Sequence, residues 1–366
     1  SITGHSGIGV AMYAHGTISN AGTAAYIHGA TYGIKLGNGG SVSNAGTILS
    51  YNGVGIFANS GGGNTTIVNG STANTAALIQ GFTGGVNAYG TITVNITNFG
   101  TIKATDPSST AVILGNGGTA NHATLSNNGT ASLIDGGSYG VTVNVAGGSV
   151  FNQGTITGGN VGVYMVMGGS ITNALGATIN GGFIGARITG AAGTITNYGT
   201  IQDIISKGIY LGAGGTITNS DSAALITGGV GISATGGATK IVNSGTIIGT
   251  GSYAISFADG ASTFNNTVIN SGAINGASGH NAIQFGAGND LLELDSGATF
   301  TGAVNGGAGI NTLQFVSGTF ANAPSFTNFQ IVAIYDGASG TLTAYETVTT
   351  LTNSGALINN ATLTNT

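Results

Sequence analysis

The stretch GTITNYGTIQ, residues 193–202, begins again as GTITN at residues 215–219, and variants of it recur along most of the chain. Its asparagine returns as Asn20, Asn44, Asn69, Asn98, Asn127, Asn152, Asn173, Asn197, Asn219, Asn243 and Asn270. Ten intervals separate the first from the last, so the mean period is about 25 residues, within the range that marks solenoids. The intervals vary in length, which places insertions in loops outside a constant frame. Two residues before each asparagine stands an aliphatic residue, as in Ile18, Val42, Ile96, Ile195 and Ile241. A spacing of two puts both on one face of a strand, so the asparagine points inward beside a turn. A buried amide is costly unless bonded. Stacked in register, each amide can donate to the next, as in the Asn ladders of cross-β structure. Aspartates stacked in the same way would repel one another.

A second phrase fills the later half of each unit: YGIKLGNGG, VGIFANSGGG, VGVYMVMGG, KGIYLGAGG. One apolar column includes Ile34, Ile56, Val86, Val112, Val163 and Ile209. Another, two residues on, includes Leu36, Ala58, Ala88, Leu114, Met165 and Leu211. Between them lies a mixed column with Lys35, Phe57, Tyr164, Arg187 and Tyr210, which period two directs to solvent. A third strand follows the turn glycine, marked by Ile48, Ile102, Ile156, Ile201 and Ile247. Three short strands per repeat, with like residues in columns, predict an all-β fold: a right-handed parallel β-helix of about 12–14 coils. Glycines mark its corners, where a positive φ or a close backbone approach is needed.

Residues 1–290 carry the regular repeat. Residues 291–366 read as C-terminal coils of the same solenoid in a shifted register. Counted back from Gly297, Asp295 takes the place of the asparagine, and Leu292 and Leu294 take the opposite parity from the earlier columns. LQFVSGTF, residues 313–320, shows the same shift.

Composition narrows function. The 366 residues include 71 glycines, 4% charged residues, no cysteine and no tryptophan. Without cysteine there are no thiolate metal sites, disulfides or thiol catalysis. So few charges offer no basic surface to nucleic acid and no polybasic patch to a membrane. A mean hydropathy of +0.32 argues against simple disorder. No apolar run approaches the length of a transmembrane helix. The start, SITGHSGIGV, lacks the regions of a signal peptide, and both ends break off inside the repeat pattern. The chain therefore reads as a mature product or an excised segment.

The TITNxGTI units, the GAGNDLLEL to GGAGINTLQF segment and the ending NFQIVAIYDG…LTNSGALI resemble the passenger regions of bacterial autotransporters. That resemblance implies a right-handed β-helix exported to the outer surface of a Gram-negative cell. Such passengers include adhesins, enzymes and surface fibres.

Reactive groups are sparse. Ten carboxylates are present, and the only dense group is Asp290, Glu293 and Asp295, the one place for a glycosidase-like pair. GAGNDLL, residues 286–292, resembles one RTX calcium nonapeptide with Asp290 as its acid, but the following copy has Asn311 in that place. The five histidines show no ligand spacing. Tyr164, Arg187 and Tyr210 line the outward column and suit contact with a glycan. Flat pairs such as Thr194/Thr196 and Thr216/Thr218 resemble ice-binding arrays, interrupted by Phe151, Lys240 and Val242. The expected function is a non-enzymatic extracellular structural or adhesive protein. It has no cofactor, and its partners are copies of itself, head to tail or side by side, and surface glycans. A polysaccharide-binding or polysaccharide-degrading β-helix is the main alternative, and an ice-binding solenoid a minor one.

Overall fold

The computed structural model describes residues 1–5, 7–59, 63–89, 93–115, 122–257, 263–320, 324–342, 346–360 and 363–364. They form an all-β, right-handed parallel β-helix with three short strands to a coil. Two compact units divide the chain, Ser1–Ala191 and Ala192–Thr366.

In the first unit every third strand joins the same sheet. Sheet 1 runs from Ile2–Gly4 through Tyr26–Gly29 and Thr47–Ser50 to Thr178–Gly181. Sheet 2 runs from Ile8–Met12 through Tyr32–Leu36 to Ile184–Ile188, and sheet 3 from Thr17–Asn20 through Gly40–Asn44 to Gly169–Asn173. All pairing within these sheets is parallel, and like residues face like. Ile27, Ile48, Ile79, Ile102, Ile134, Ile156 and Ile179 form one unbroken column in sheet 1, and all are at most 2% exposed. The GTI phrase after the turn reveals only part of it, because Ile27, Ile79, Ile134 and Ile179 sit in YIHG, LIQG, LIDG and TING. Both apolar columns of sheet 2 are buried from Ile34 and Leu36 onward. β-Branched side chains suit such stacked strands, since each packs on its counterpart one coil away.

Crowding between coils fixes two glycines here, one inside strand Val161–Met165 and one in a turn. A Cβ on Gly162 would lie 2.6 Å from the carbonyl oxygen of Gly185 in the next coil, and one on Gly100 would lie 2.1 Å from that of Ala77. No side chain fits at either distance.

The second unit repeats the plan. Its sheet-3 strands run from Gly193–Asn197 through Gly215–Asn219 to Thr350–Asn353, and the column Ile201, Ile226, Ile247, Ile274 lines its interior. Among the described residues, sheet-2 strands number eight in the first unit and six in the second, which makes about 14 coils. Toward the C-terminus the core turns aromatic. Phe257 and Phe285 stack at 5.2 Å, and Phe285, Phe315, Phe326 and Phe329 are almost fully buried. From Gly318 onward a separate three-stranded parallel sheet, Gly318–Phe320, Ala338–Leu342 and Ala356–Asn359, stands beside the sheet-3 strands.

Strand pairing overturns the parity counted from Gly297. Leu292 pairs with Val268 and Leu294 with Asn270, so both leucines continue the inward columns and are buried. The turn explains the difference. Two residues separate Asn270 from the next strand at Ala273, whereas four separate Leu294 from Thr299. The extra length places Asp295 in the bend. The same four-residue turn, with a positive-φ glycine, follows Asn173.

Candidate functional sites: two polar ladders and an aromatic face

In each unit the asparagines share one register position of sheet 3, Asn20 to Asn173 in the first and Asn197 to Asn270 in the second, and all eleven are buried. In the first unit, Nδ2 of Asn20, Asn44, Asn69, Asn98, Asn127 and Asn152 each donates to Oδ1 of the asparagine one coil on, at 2.7–2.9 Å. In the second, Asn197, Asn219 and Asn243 do the same at 2.8–2.9 Å. Each amide also ties down the turn. Asn98 Nδ2 lies 3.0 Å from the Gly100 carbonyl of its own coil and 3.2 Å from that of Leu133 in the next. Asn44 Oδ1 accepts from the Gly46 N–H at 3.3 Å. A side chain that is donor and acceptor at once is required at every rung, which aspartate cannot supply when ionised. The series runs in one direction, each rung donating toward the C-terminus. Leu294 takes the next place after Asn270.

A second ladder, unnoticed in the repeat phrases, crosses the second unit. Two residues before each inward aliphatic of sheet 3 the chain mostly carries glycine, as at Gly40, Gly169, Gly193 and Gly215. From there the column changes to Thr239, Asn266, Asp290, Asn311 and Gln330. Thr239 N–H donates to Asn266 Oδ1 (3.0 Å), Asn266 N–H to Asp290 Oδ1 (2.6 Å), Asp290 N–H to Asn311 Oδ1 (2.9 Å) and Asn311 N–H to Gln330 Oε1 (2.8 Å). Here side-chain oxygens receive the backbone donors of the preceding coil. The drift from glycine to polar residues was its one signal in the sequence.

This ladder also places the acidic group. Asp290 is 1% exposed, and its Oδ1 accepts from both the backbone N–H and Nδ2 of Asn266. Glu293, one residue from Leu292 and Leu294, lies on the outward face. Asp295 stands in the following turn and accepts from Ser317 Oγ at 3.2 Å. One carboxylate is inside, one outside and one in a bend, so the three do not converge. Among the described residues no three His, Cys, Asp or Glu gather as a metal cluster.

Asp203 is another carboxylate with an unusual setting. It ends the strand Thr200–Asp203 and accepts from the N–H groups of Ile205 and Ser206. Burial pushes its pKa up, against the lowering influence of those N–H donors and of Lys207. The turn it anchors exposes Ile204 and Ile205.

The outward face of sheet 2 is aromatic and cationic. In the first unit, the Arg187 guanidinium lies 4.7 Å from the centroid of the Tyr164 ring, and the Tyr164 hydroxyl is 3.1 Å from Thr189 Oγ1. Tyr139 stacks on Tyr164 at 6.2 Å. Tyr210 belongs to the second unit, where its hydroxyl is 3.1 Å from Thr235 Oγ1 and Lys207 Nζ stands 5.9 Å from its ring. The hydroxyl pairs of sheet 3 are interrupted by Val68, Phe151 and Val242. In the second unit a groove of about 380 Å³ on that side is lined by Thr216, Lys240 and Thr267. No helix of the described residues is long and apolar enough to cross a membrane.

No family model, curated protein or solved structure matches this chain.

Proposed function

We propose that this chain is a non-enzymatic structural and adhesive protein of the extracellular surface of a Gram-negative bacterium, and that a second copy continues its coils head to tail. The supporting observation is strand Thr350–Asn353. It follows Ile331–Ile334 in sheet 3, in register, so that Asn353 re-enters the asparagine column after Leu294, Phe315 and Ile334. Its Oδ1 accepts from the Gly355 N–H at 3.2 Å, as Asn44 accepts from Gly46.

The side chains of this coil are uncovered, with Leu351 44% and Ile358 49% exposed. TLTN at residues 350–353 matches TISN at 17–20, the strand from which the first ladder departs. A TISN strand laid on TLTN would bury Leu351 against Ile18. Asn353 Nδ2 would then reach Asn20 Oδ1, in the same direction as every other rung. Open strand edges with matching columns favour strand addition, and a heterologous contact that does not close propagates as a filament. The dispersal of the carboxylates supports the non-enzymatic part of the reading.

Electron microscopy and sedimentation of the 366-residue chain test it. Filaments are expected that lengthen with concentration and are shortened by Leu351→Glu. Short monodisperse rods at high concentration would sink the stacking.

A further inference from the structure

Cations are few in this chain, and three of the five sit on strands of one sheet. Of its five Lys and Arg residues, Lys35 lies over Tyr13 and Tyr32, Arg187 over Tyr164 and Lys207 over Tyr210. All three sit on sheet-2 strands. In the first unit the outward column of that sheet runs from Ala11 to Arg187 by strand pairing and contains no carboxylate among the described residues.

The best developed group spans the first four coils. Tyr32 and Phe57 stack with centroids 4.8 Å apart and planes 25° from parallel. Tyr89 meets Phe57 edge-on at 5.9 Å. Tyr13, 69% exposed, flanks them. Lys35 Nζ is 5.9 Å from the centroids of both Tyr13 and Tyr32. The rings are held on adjacent coils, which repeat every ~4.8 Å.

We propose that this face, Tyr13, Tyr32, Lys35, Phe57 and Tyr89, binds a sparsely charged acidic polysaccharide. The rings offer apolar platforms with a polar edge to the flat faces of sugars. Lys35 supplies the charge that selects a carboxylate over a neutral sugar. A periodic ligand on a periodic surface gains from many weak contacts at once. One cation among four rings, on a chain of net charge −5, does not suit a nucleic acid with a phosphate at every residue. The inference rests on the adhesive part of the proposed function and not on stacking.

The test is calorimetric titration of the 366-residue chain with three probes. These are hyaluronan oligosaccharide, with a carboxylate on every second sugar, neutral malto-oligosaccharide of equal length, and oligothymidylate. Hyaluronan is expected to bind most tightly and to weaken with added salt. Lys35→Gln lowers its affinity about ten-fold and leaves the neutral probe unchanged, whereas Tyr32→Ala with Phe57→Ala lowers both by about ten-fold or more. Circular dichroism checks that each variant is folded, and Lys35→Gln, a change at a partly exposed position, decides the matter if the double variant is not. No binding of hyaluronan, a preference for oligothymidylate, or indifference to Lys35→Gln overturns the proposal. Leu351→Glu separates the two readings. Hyaluronan binding that survives in an unstacked chain overturns neither, and its absence from a chain that still forms filaments overturns this one alone.

Discussion

Asn98 Nδ2 donates to Asn127 Oδ1 at 2.7 Å across the boundary between two coils, and Asn127 donates onward to Asn152 at 2.8 Å. A residue in the middle of this series must give and receive in one place. Asn127→Asp keeps the acceptor and removes the donor, turning an oxygen toward Asn152 Oδ1 and the Thr155 carbonyl. The expected cost is about 3–5 kcal/mol, that of an uncompensated buried charge. Asn127→Ala should cost less, about 1–3 kcal/mol for the partners left unbonded. Chemical denaturation gives the ranking, and an Asp variant as stable as wild type would show that the rungs do not depend on their donors. Acidification should partly restore the Asp variant, because the protonated carboxyl can donate again.

The isoleucine column makes a more local prediction. Ile156 is fully buried between Ile134 and Ile179. Ile156→Ala should destabilise by about 2–5 kcal/mol, combining lost transfer energy with an unfilled cavity. In a solenoid each coil touches only its neighbours. Hydrogen exchange should therefore accelerate in the coils of Ile134, Ile156 and Ile179 first, and uniform acceleration throughout the first unit would contradict this picture.

Asp203 sets a pH dependence whose sign is fixed by the direction of its shift. Burial raises its pKa in the folded state, so the folded chain holds the proton more tightly than the unfolded one. Stability from this group is greatest below the unfolded value and falls as pH rises through the folded one, in a window beginning at about pH 4. Asp203→Asn retains an oxygen for the Ile205 and Ser206 N–H donors and removes the ionisation. Its unfolding free energy should be flatter across that window, and higher than wild type above it. A parallel pH profile for the two proteins would rule out Asp203 as the source.

Asp290 separates a structural carboxylate from a metal ligand. Asp290→Asn keeps an Oδ1 acceptor for Asn266 and should leave stability within about 1 kcal/mol of wild type, whereas Asp290→Ala strands those donors at about 1–3 kcal/mol. Millimolar calcium or a chelator should leave the unfolding curve in place. An upward shift with calcium that disappears in Asp290→Asn would assign a metal to the GAGND turn instead.

How much was legible differs from column to column. The pairs Ile195/Asn197 and Ile217/Asn219 disclose their face because period two survives any loop length between repeats. The inward sheet-2 columns were readable for the same reason. Ile79 and Ile134 were not, since the turns before them are long and no fixed offset from a glycine locates them. Leu294 was misplaced by counting from Gly297, because turn length varies while strand register does not. The second ladder escaped because its members differ in type, and only stacking makes Thr239, Asn266, Asp290, Asn311 and Gln330 one column.

Sequence alone therefore determined the strand type, the inward faces and the solenoid, all of which follow from alternation and period within a few adjacent residues. Its 71 glycines and few charges suit that plan, since corners crowd and charges repeated in each coil would face one another. Tertiary structure decided which residues became neighbours across about 25 positions of intervening chain. Loop length there is irregular, and hydrogen bonding between coils, not spacing along the chain, selects the partner. That selection turned Asp290 inward while leaving Glu293 outside, and brought Lys35 over Tyr13 and Tyr32.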